Sequence, residues 1–151
     1  LKIRDYGIDR TIFRNEEGEI NPECDIKLEG YGGLMSEINS FVGTKQMEEI
    51  ENLLAIQKRN ASLWDEKLGN HASIVPLKLT QDIIPNYWVY GTLCKNKVES
   101  IRDFKSEGFY ATGVHINNNI YSVFNNKVSL KGVNEFMNHF VAIPCGWWLQ
   151  H

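Results

Sequence analysis

Residues 44–68 set the first constraint on the fold. Met47, Ile50, Leu53, Leu54, Gln57, Ala61, Trp64 and Leu68 recur at close to i, i+3, i+4, i+7 spacing. Glu48, Glu51, Lys58, Arg59 and Asp65 take the opposite face. The spacing predicts one long amphipathic helix. Thr44 is placed to cap it, Glu48 and Glu49 suit the positive end of its dipole, and Lys67 suits the negative end before Gly69 stops it. Such a helix must bury its stripe, so the chain has to supply a second layer.

The rest of the chain supplies it. NYWVYGTLC (86–94) is aromatic and β-branched and reads as a strand, with Trp88 expected inward. FYATGVHI (109–116) and FVAIP (140–144) read as two more, and residues 73–79 as a short extended piece interrupted by Pro76. Helices are expected at 34–43, with Met35, Ile38 and Val42 at helical spacing, at 98–108, and at 131–139 with Val133, Phe136 and Met137 inward. YSVF (121–124) reads as a short fragment beside three asparagines, and residues 8–29 as a long polar loop with an extended piece near 25–28. The order predicts an α+β fold: a small, mostly antiparallel sheet packed on one side by the long helix, as one domain over 1–151. LKIRDYGIDR reads as the tail of a helix ending at Gly7, and WWLQH stops just after a buried-looking strand, so both ends read as cut.

Charge and cysteines exclude several function classes. A formal charge of -3 with scattered Lys and Arg gives no basic surface for nucleic acid. No apolar run is long enough for a membrane span, and no signal-peptide pattern is present. Cys24, Cys94 and Cys145 are isolated and odd in number, which points to a reducing cytoplasm and away from a zinc site. No histidine or carboxylate spacing suggests a metal.

Three features invite a chemical reading. GYGGLMSEINSFVG (30–43) runs glycines into a helix start, where backbone N–H groups bind anions and glycine allows close approach. On physics alone a flexible turn before a core helix is the better account of it. His115 ends a predicted strand before a polar loop, placed to touch a ligand or to cap the loop. Cys145, between Pro144 and Gly146-Trp147-Trp148, reads as a small buried hydrophobe rather than a nucleophile, and the two tryptophans as packing. Asn60-Ala61-Ser62 matches a glycosylation pattern but falls inside the long helix.

Six stretches in register resemble one family, the DegT/StrS group of pyridoxal-phosphate-dependent nucleotide-sugar aminotransferases. They are LKIRDYGIDR, GYGGLMSEINSFVG, QMEEIENLLAIQKRNASLWDEKL, NYWVYGTLC, EGFYATGVHI and VAIPCGWWL. The resemblance implies the small C-terminal domain of an aspartate-aminotransferase-like fold, with the large cofactor-holding domain and the usual final helix outside the chain. It implies a parent that acts as a homodimer and moves an amino group from an amino-acid donor to a keto-sugar nucleotide, in surface-polysaccharide or amino-sugar biosynthesis. Pyridoxal 5'-phosphate would serve that parent, with none expected on this chain alone, because no lysine here matches the Schiff-base position. The loop would approach the cofactor phosphate of the neighbouring subunit, which makes Tyr31, Gly32 and Gly33 the cofactor-facing candidates. Gly32 stands where the family has asparagine and Leu34 where it has arginine, leaving the backbone N–H groups of Gly32 and Gly33 to serve. His115 matches a substrate-proximal histidine. No catalytic residue is assigned. The other readings are a standalone dimerisation or sugar-nucleotide-binding module, and a truncated product with no function of its own.

Overall fold

A computed structural model describes residues 2–33, 35–125 and 128–149. The chain groups into two compact units, Leu1–Ser40 with Val114–Met137, and Phe41–Gly113 with Asn138–His151. The helices are α1 (Glu37–Met47), α2 (Ile50–Leu68), α3 (Lys97–Ser106) and α4 (Lys131–His139). The strands are β1 (Ile74–Pro76), β2 (Tyr90–Cys94) and β3 (Phe140–Ile143), which form an antiparallel sheet in the order β1-β2-β3. This is the expected α+β class, a small antiparallel sheet packed against helices.

The second unit holds the main core. On β2 the side chains of Tyr90, Thr92 and Cys94 are buried, while Gly91 and Leu93 on the other face are partly covered, the period of two that a one-sided sheet requires. Ala61, Trp64 and Leu68 of α2 join Tyr90, Cys94, Ile101, Val141 and Ile143 in one apolar cluster. Trp64 is its hub. Its ring meets Phe109 edge-on at 5.0 Å and Phe104 at 6.1 Å, and its indole N–H donates to the Pro144 carbonyl at 2.9 Å. Asn60 is fully buried and donates to the Gly146 carbonyl at 2.9 Å, so the glycosylation pattern is inaccessible in the folded chain. Burial, with the charge of Asp65 nearby, pushes the Cys145 thiol up to about 11, and the thiol donates to the Gln57 carbonyl. It is a packed hydrophobe, as its neighbours in the sequence imply.

Several expectations need correction. Gly43-Thr44 does not separate two helices: α1 runs through it, and the break falls after Met47. A Lys45–Glu48 pair at 2.7 Å lies at the end of α1, and α2 starts after Glu49 without a side-chain cap. Helix dipoles favour acidic residues at a start, and the Glu48-Glu49-Glu51 cluster supplies them there. No residue of α1 is buried, and Met35, Ile38 and Val42 are all exposed. Residues 109–116 form no strand. They make one bridge, Thr112 to Ala142, and Val114 then turns to φ +60°, which a continued ladder cannot accommodate. Trp88 lies outside β2 at 63% exposure, because Tyr87 at φ +53° turns the chain before the strand starts. Trp147 and Trp148 stay exposed and pack edge-on against each other rather than closing the core.

Replacing Trp64 by alanine should destabilise the chain by about 3–5 kcal/mol, the usual result of emptying a large aromatic site. Urea unfolding followed by far-UV circular dichroism measures it, and a loss near zero would remove Trp64 from the centre of the core.

Candidate functional site

The first unit is built from turns rather than ladders. Residues 2–7 close on themselves, with the Gly7 N–H donating to the Lys2 carbonyl at 2.8 Å. This six-to-one bond is the type that ends a helix, as Gly7 suggested, and Tyr6 and Gly7 both take left-handed backbone at φ +55° and +79°. Arg10 grips the Asp5 carboxylate through two nitrogens, and Lys2 pairs with Asp9 at 2.7 Å. The expected loop at 8–29 contains a small hairpin: Asn15 and Glu19 bond across it, and Gly18 turns it at φ +80°.

The glycine-rich loop packs on that N-terminal turn. A side chain at Gly30 would strike the backbone of Tyr6 and Gly7, and one at Gly7 would strike the Leu28 carbonyl. The Tyr31 N–H donates to the Ile3 carbonyl at 2.7 Å, and Asp5 bridges to Gly32. So the close backbone approach that glycine permits here is made to the chain's own first turn. Gly33 differs, because a side chain there would meet only Arg4 methylenes at ordinary distances.

Two segments distant in sequence lock together beside this turn. The Asp25 carboxylate accepts from both the N–H and the hydroxyl of Ser122 at 2.7 Å, capping the short 3-10 turn Ser122–Phe124. These bonds hold the Asp25 carboxyl below the usual carboxylate range. Val123 N–H donates to the Ile26 carbonyl alongside. Behind them Cys24 and Tyr121 are buried, and burial pushes the thiol and the phenol up, so both stay neutral.

Together these segments enclose a cleft of about 770 Å³ whose walls include Tyr6, Leu28, Glu29, Gly30, His115, Asn117, Asn118, Phe124, Val133 and Met137. The structure therefore brings His115 and the first glycine of the loop into one concavity. His115 is exposed and follows the left-handed Val114, an uncommon conformation for a β-branched residue and one that concentrates at functional sites. Tyr31, Gly32 and Gly33 lie outside the cleft wall and are exposed. Leu34 lies outside the described residues. Val133 and Met137, expected in a core, instead form apolar wall. The Asn117 amide donates to the Asn134 side chain, while its Oδ1 is buried with no hydrogen-bond partner. Sequence reasoning missed Asp25, Glu29 and Asn117 as site residues. The asparagine cluster at 117–119 was the only signal available.

The comparisons fit this architecture. The chain belongs to the DegT/DnrJ/EryC1/StrS aminotransferase family, whose model matches residues 1–150. Among solved structures it is similar to the sugar aminotransferase CalS13 from Micromonospora echinospora, at 24% identity and TM-score 0.72, covering 99% of this chain and 40% of that one. AtS13 from Actinomadura melliaura gives 26% identity and TM-score 0.71, covering 99% and 39%. The putative sugar aminotransferase Spr1654 from Streptococcus pneumoniae, in its PLP form, gives 16% identity and TM-score 0.67, covering 99% and 38%. The chain thus spans about two-fifths of the length of the solved structures it matches. No curated protein matches the chain.

Pyridoxal phosphate is the group this family implies, and the residues present do not complete a site for it. A Schiff-base lysine has to be desolvated or otherwise perturbed to act as an amine near neutral pH. None of the described lysines is buried, and none lines the cleft. Among the described residues there is also no cluster that could hold a metal ion, and no helix long and apolar enough to cross a membrane.

Two predictions follow from the geometry. Gly30→Ala should destabilise the chain by about 1–3 kcal/mol through backbone overlap, whereas Gly33→Ala should change stability by less than about 0.5 kcal/mol. Thermal denaturation of the pair checks it, and equal effects would contradict the assigned packing. The second concerns acid. Asp25 has a lowered folded-state pKa, so its contribution is present above the unfolded value of about 4 and is lost as pH falls through the folded value. Asp25→Asn should lower stability at neutral pH and flatten the stability–pH curve below about pH 4. An acid limb identical to that of the wild type would show that the Ser122 clamp is not formed in solution.

Proposed function

We propose that the chain is the small domain of a pyridoxal-phosphate-dependent aminotransferase that acts on a keto-sugar nucleotide. The parent reaction moves an amino group from an amino acid, typically glutamate, to the sugar. One observation carries the reading: a family match along residues 1–150 coincides with a cleft that holds His115, the residue matched to a substrate-proximal position. In this reading the chain's residues bind and orient the sugar, and the cofactor's lysine, pyridine-nitrogen aspartate and phosphate serine come from the large domain. His115 supplies a ring N–H or a ring nitrogen to a sugar hydroxyl. The exposed α1 stripe and the loop at Tyr31, Gly32 and Gly33 face the large domain or the second subunit of a cytoplasmic homodimer.

The Tyr31 N–H is already committed to the Ile3 carbonyl, which leaves Gly32 and Gly33 as the residues for cofactor-phosphate contact.

The test is transamination by the polypeptide that the complete reading frame encodes, with glutamate, pyridoxal phosphate and a panel of keto-sugar nucleotides. The expected result is amino-sugar nucleotide formation, with His115→Ala raising KM by about tenfold, the loss of one good polar contact, and changing kcat less. A folded polypeptide that binds the cofactor and aminates no keto-sugar nucleotide would overturn the proposal.

A further inference from the structure

The second unit has a groove of its own, of about 550 Å³, with a wall drawn entirely from residues 71–107. That stretch is described without a break. Helix α3 and the residue after it bring Glu99, Asp103 and Glu107 to the wall. They follow at four-residue steps, so they share one helix face and stand about 6 Å apart along the axis. Like charges at this spacing destabilise a helix. Among the described residues, no ion pair reaches any of the three. Lys95 is the one lysine or arginine on the wall among those residues, four positions before Glu99, whereas Lys97, Arg102 and Lys105 of α3 do not line it. Glu99 is partly committed, since its Oε2 accepts from the Asn96 amide at 2.8 Å. The uncompensated charge therefore centres on Asp103 and Glu107.

A second observation, independent of the charges, comes from Ser100. It lines the same groove and is nine-tenths buried. A helical serine commonly turns its hydroxyl onto the carbonyl four residues back, as Ser62 does onto Lys58 at 3.2 Å. The Ser100 hydroxyl makes no such bond and has no other partner among the described residues. Unlike Asn60 Oδ1, its oxygen is not sealed from solvent, so a ligand in the groove can reach it. The other wall is held in place by His71, whose Nδ1 accepts the N–H groups of Ser73 at 3.2 Å and Ile74 at 3.1 Å.

We propose that this groove binds a linear diamine or polyamine. Asp103 and Glu107 take successive ammonium groups, the Ser100 hydroxyl accepts an ammonium N–H, and the methylenes lie on Phe104 and Ile74. The spacing suits it: an extended run of three or four methylenes, with bonds of about 1.5 Å, separates two ammonium groups by about one step of the carboxylate row. Phe104 and Ile74 are half-buried and give the alkyl chain an apolar surface. A metal ion suits the site less, because no group of side chains among the described residues is placed to hold one. The carboxylates are exposed, so binding weakens as salt rises. None of this draws on the aminotransferase reading.

The experiment is NMR titration of the 151-residue chain at neutral pH and low salt with spermidine, 1,4-diaminobutane, butylamine, magnesium chloride and a short lysine-rich peptide. Spermidine should shift the backbone amide signals of residues 95–107 and of Ile74 saturably. It should bind at least about fivefold more tightly than butylamine, because its second ammonium binds intramolecularly. Asp103→Asn should weaken spermidine by about twofold to fivefold, as for an exposed ion pair. Ser100→Ala should weaken it by about tenfold, the loss of one hydrogen bond. Glu51→Gln on α2 removes the same charge outside the groove and should leave the affinity unchanged. Equal losses from Glu51→Gln and Asp103→Asn would show diffuse attraction to an acidic chain and overturn the proposal. So would equal affinity for butylamine and spermidine, magnesium shifting the same signals at the same concentrations, or no saturable response. Tighter binding of the peptide than of spermidine would assign the groove to a basic protein segment and overturn it too.

Discussion

The first unit depends on one close approach between two stretches of backbone. Gly7 and Gly30 each lack a side chain where the other's segment passes, and neither tolerates one without displacing main chain. That approach seats the loop at 28–33 on the N-terminal turn and draws the Tyr31 N–H to Ile3. With the loop seated, Leu28, Glu29 and Gly30 become one wall of the cleft. The opposite wall comes from residues 115–124, held by the Asp25 carboxylate on Ser122. A glycine pair and one buttressing carboxylate thus do what a sheet would do in a larger unit: they fix segments far apart in sequence without an extended ladder.

Much of the second unit was legible in the sequence, because its elements obey a period. The α2 stripe at Ala61, Trp64 and Leu68 and the β3 run follow from apolar spacing, and Cys145 is buried among apolar neighbours as its place in the sequence implies. The departures occur where local pattern competes with backbone geometry. Gly43-Thr44 resembles a helix boundary, yet glycine's penalty inside a helix is only about 1 kcal/mol, and α1 absorbs it. Trp88 and residues 109–116 have strand composition, but left-handed turns at Tyr87 and Val114 stop the pairing, and no propensity announces a non-glycine residue at positive φ.

The site was less legible than the fold. His115 could be singled out from its place before a polar loop, and the glycine loop from its composition. What could not be read is which glycine matters. Gly30 is the one pressed against backbone, whereas Gly32 meets the end of a flexible tyrosine and Gly33 has room. The Asp25–Ser122 clamp joins residues nearly a hundred positions apart, and Asn117 gains its unpartnered oxygen only from burial, so neither leaves a local trace. Family membership points to amine chemistry, and that chemistry requires a lysine unlike any of the described ones, none of which is buried.

The reading of the lysines is open to a direct measurement. The 151-residue chain would be incubated with substoichiometric pyridoxal phosphate, reduced with borohydride and mapped by mass spectrometry. The expected result is sparse label spread over surface lysines, with no site approaching one cofactor per chain. Stoichiometric label on a single lysine would contradict it, and would place the Schiff-base chemistry in the same chain as the His115 cleft.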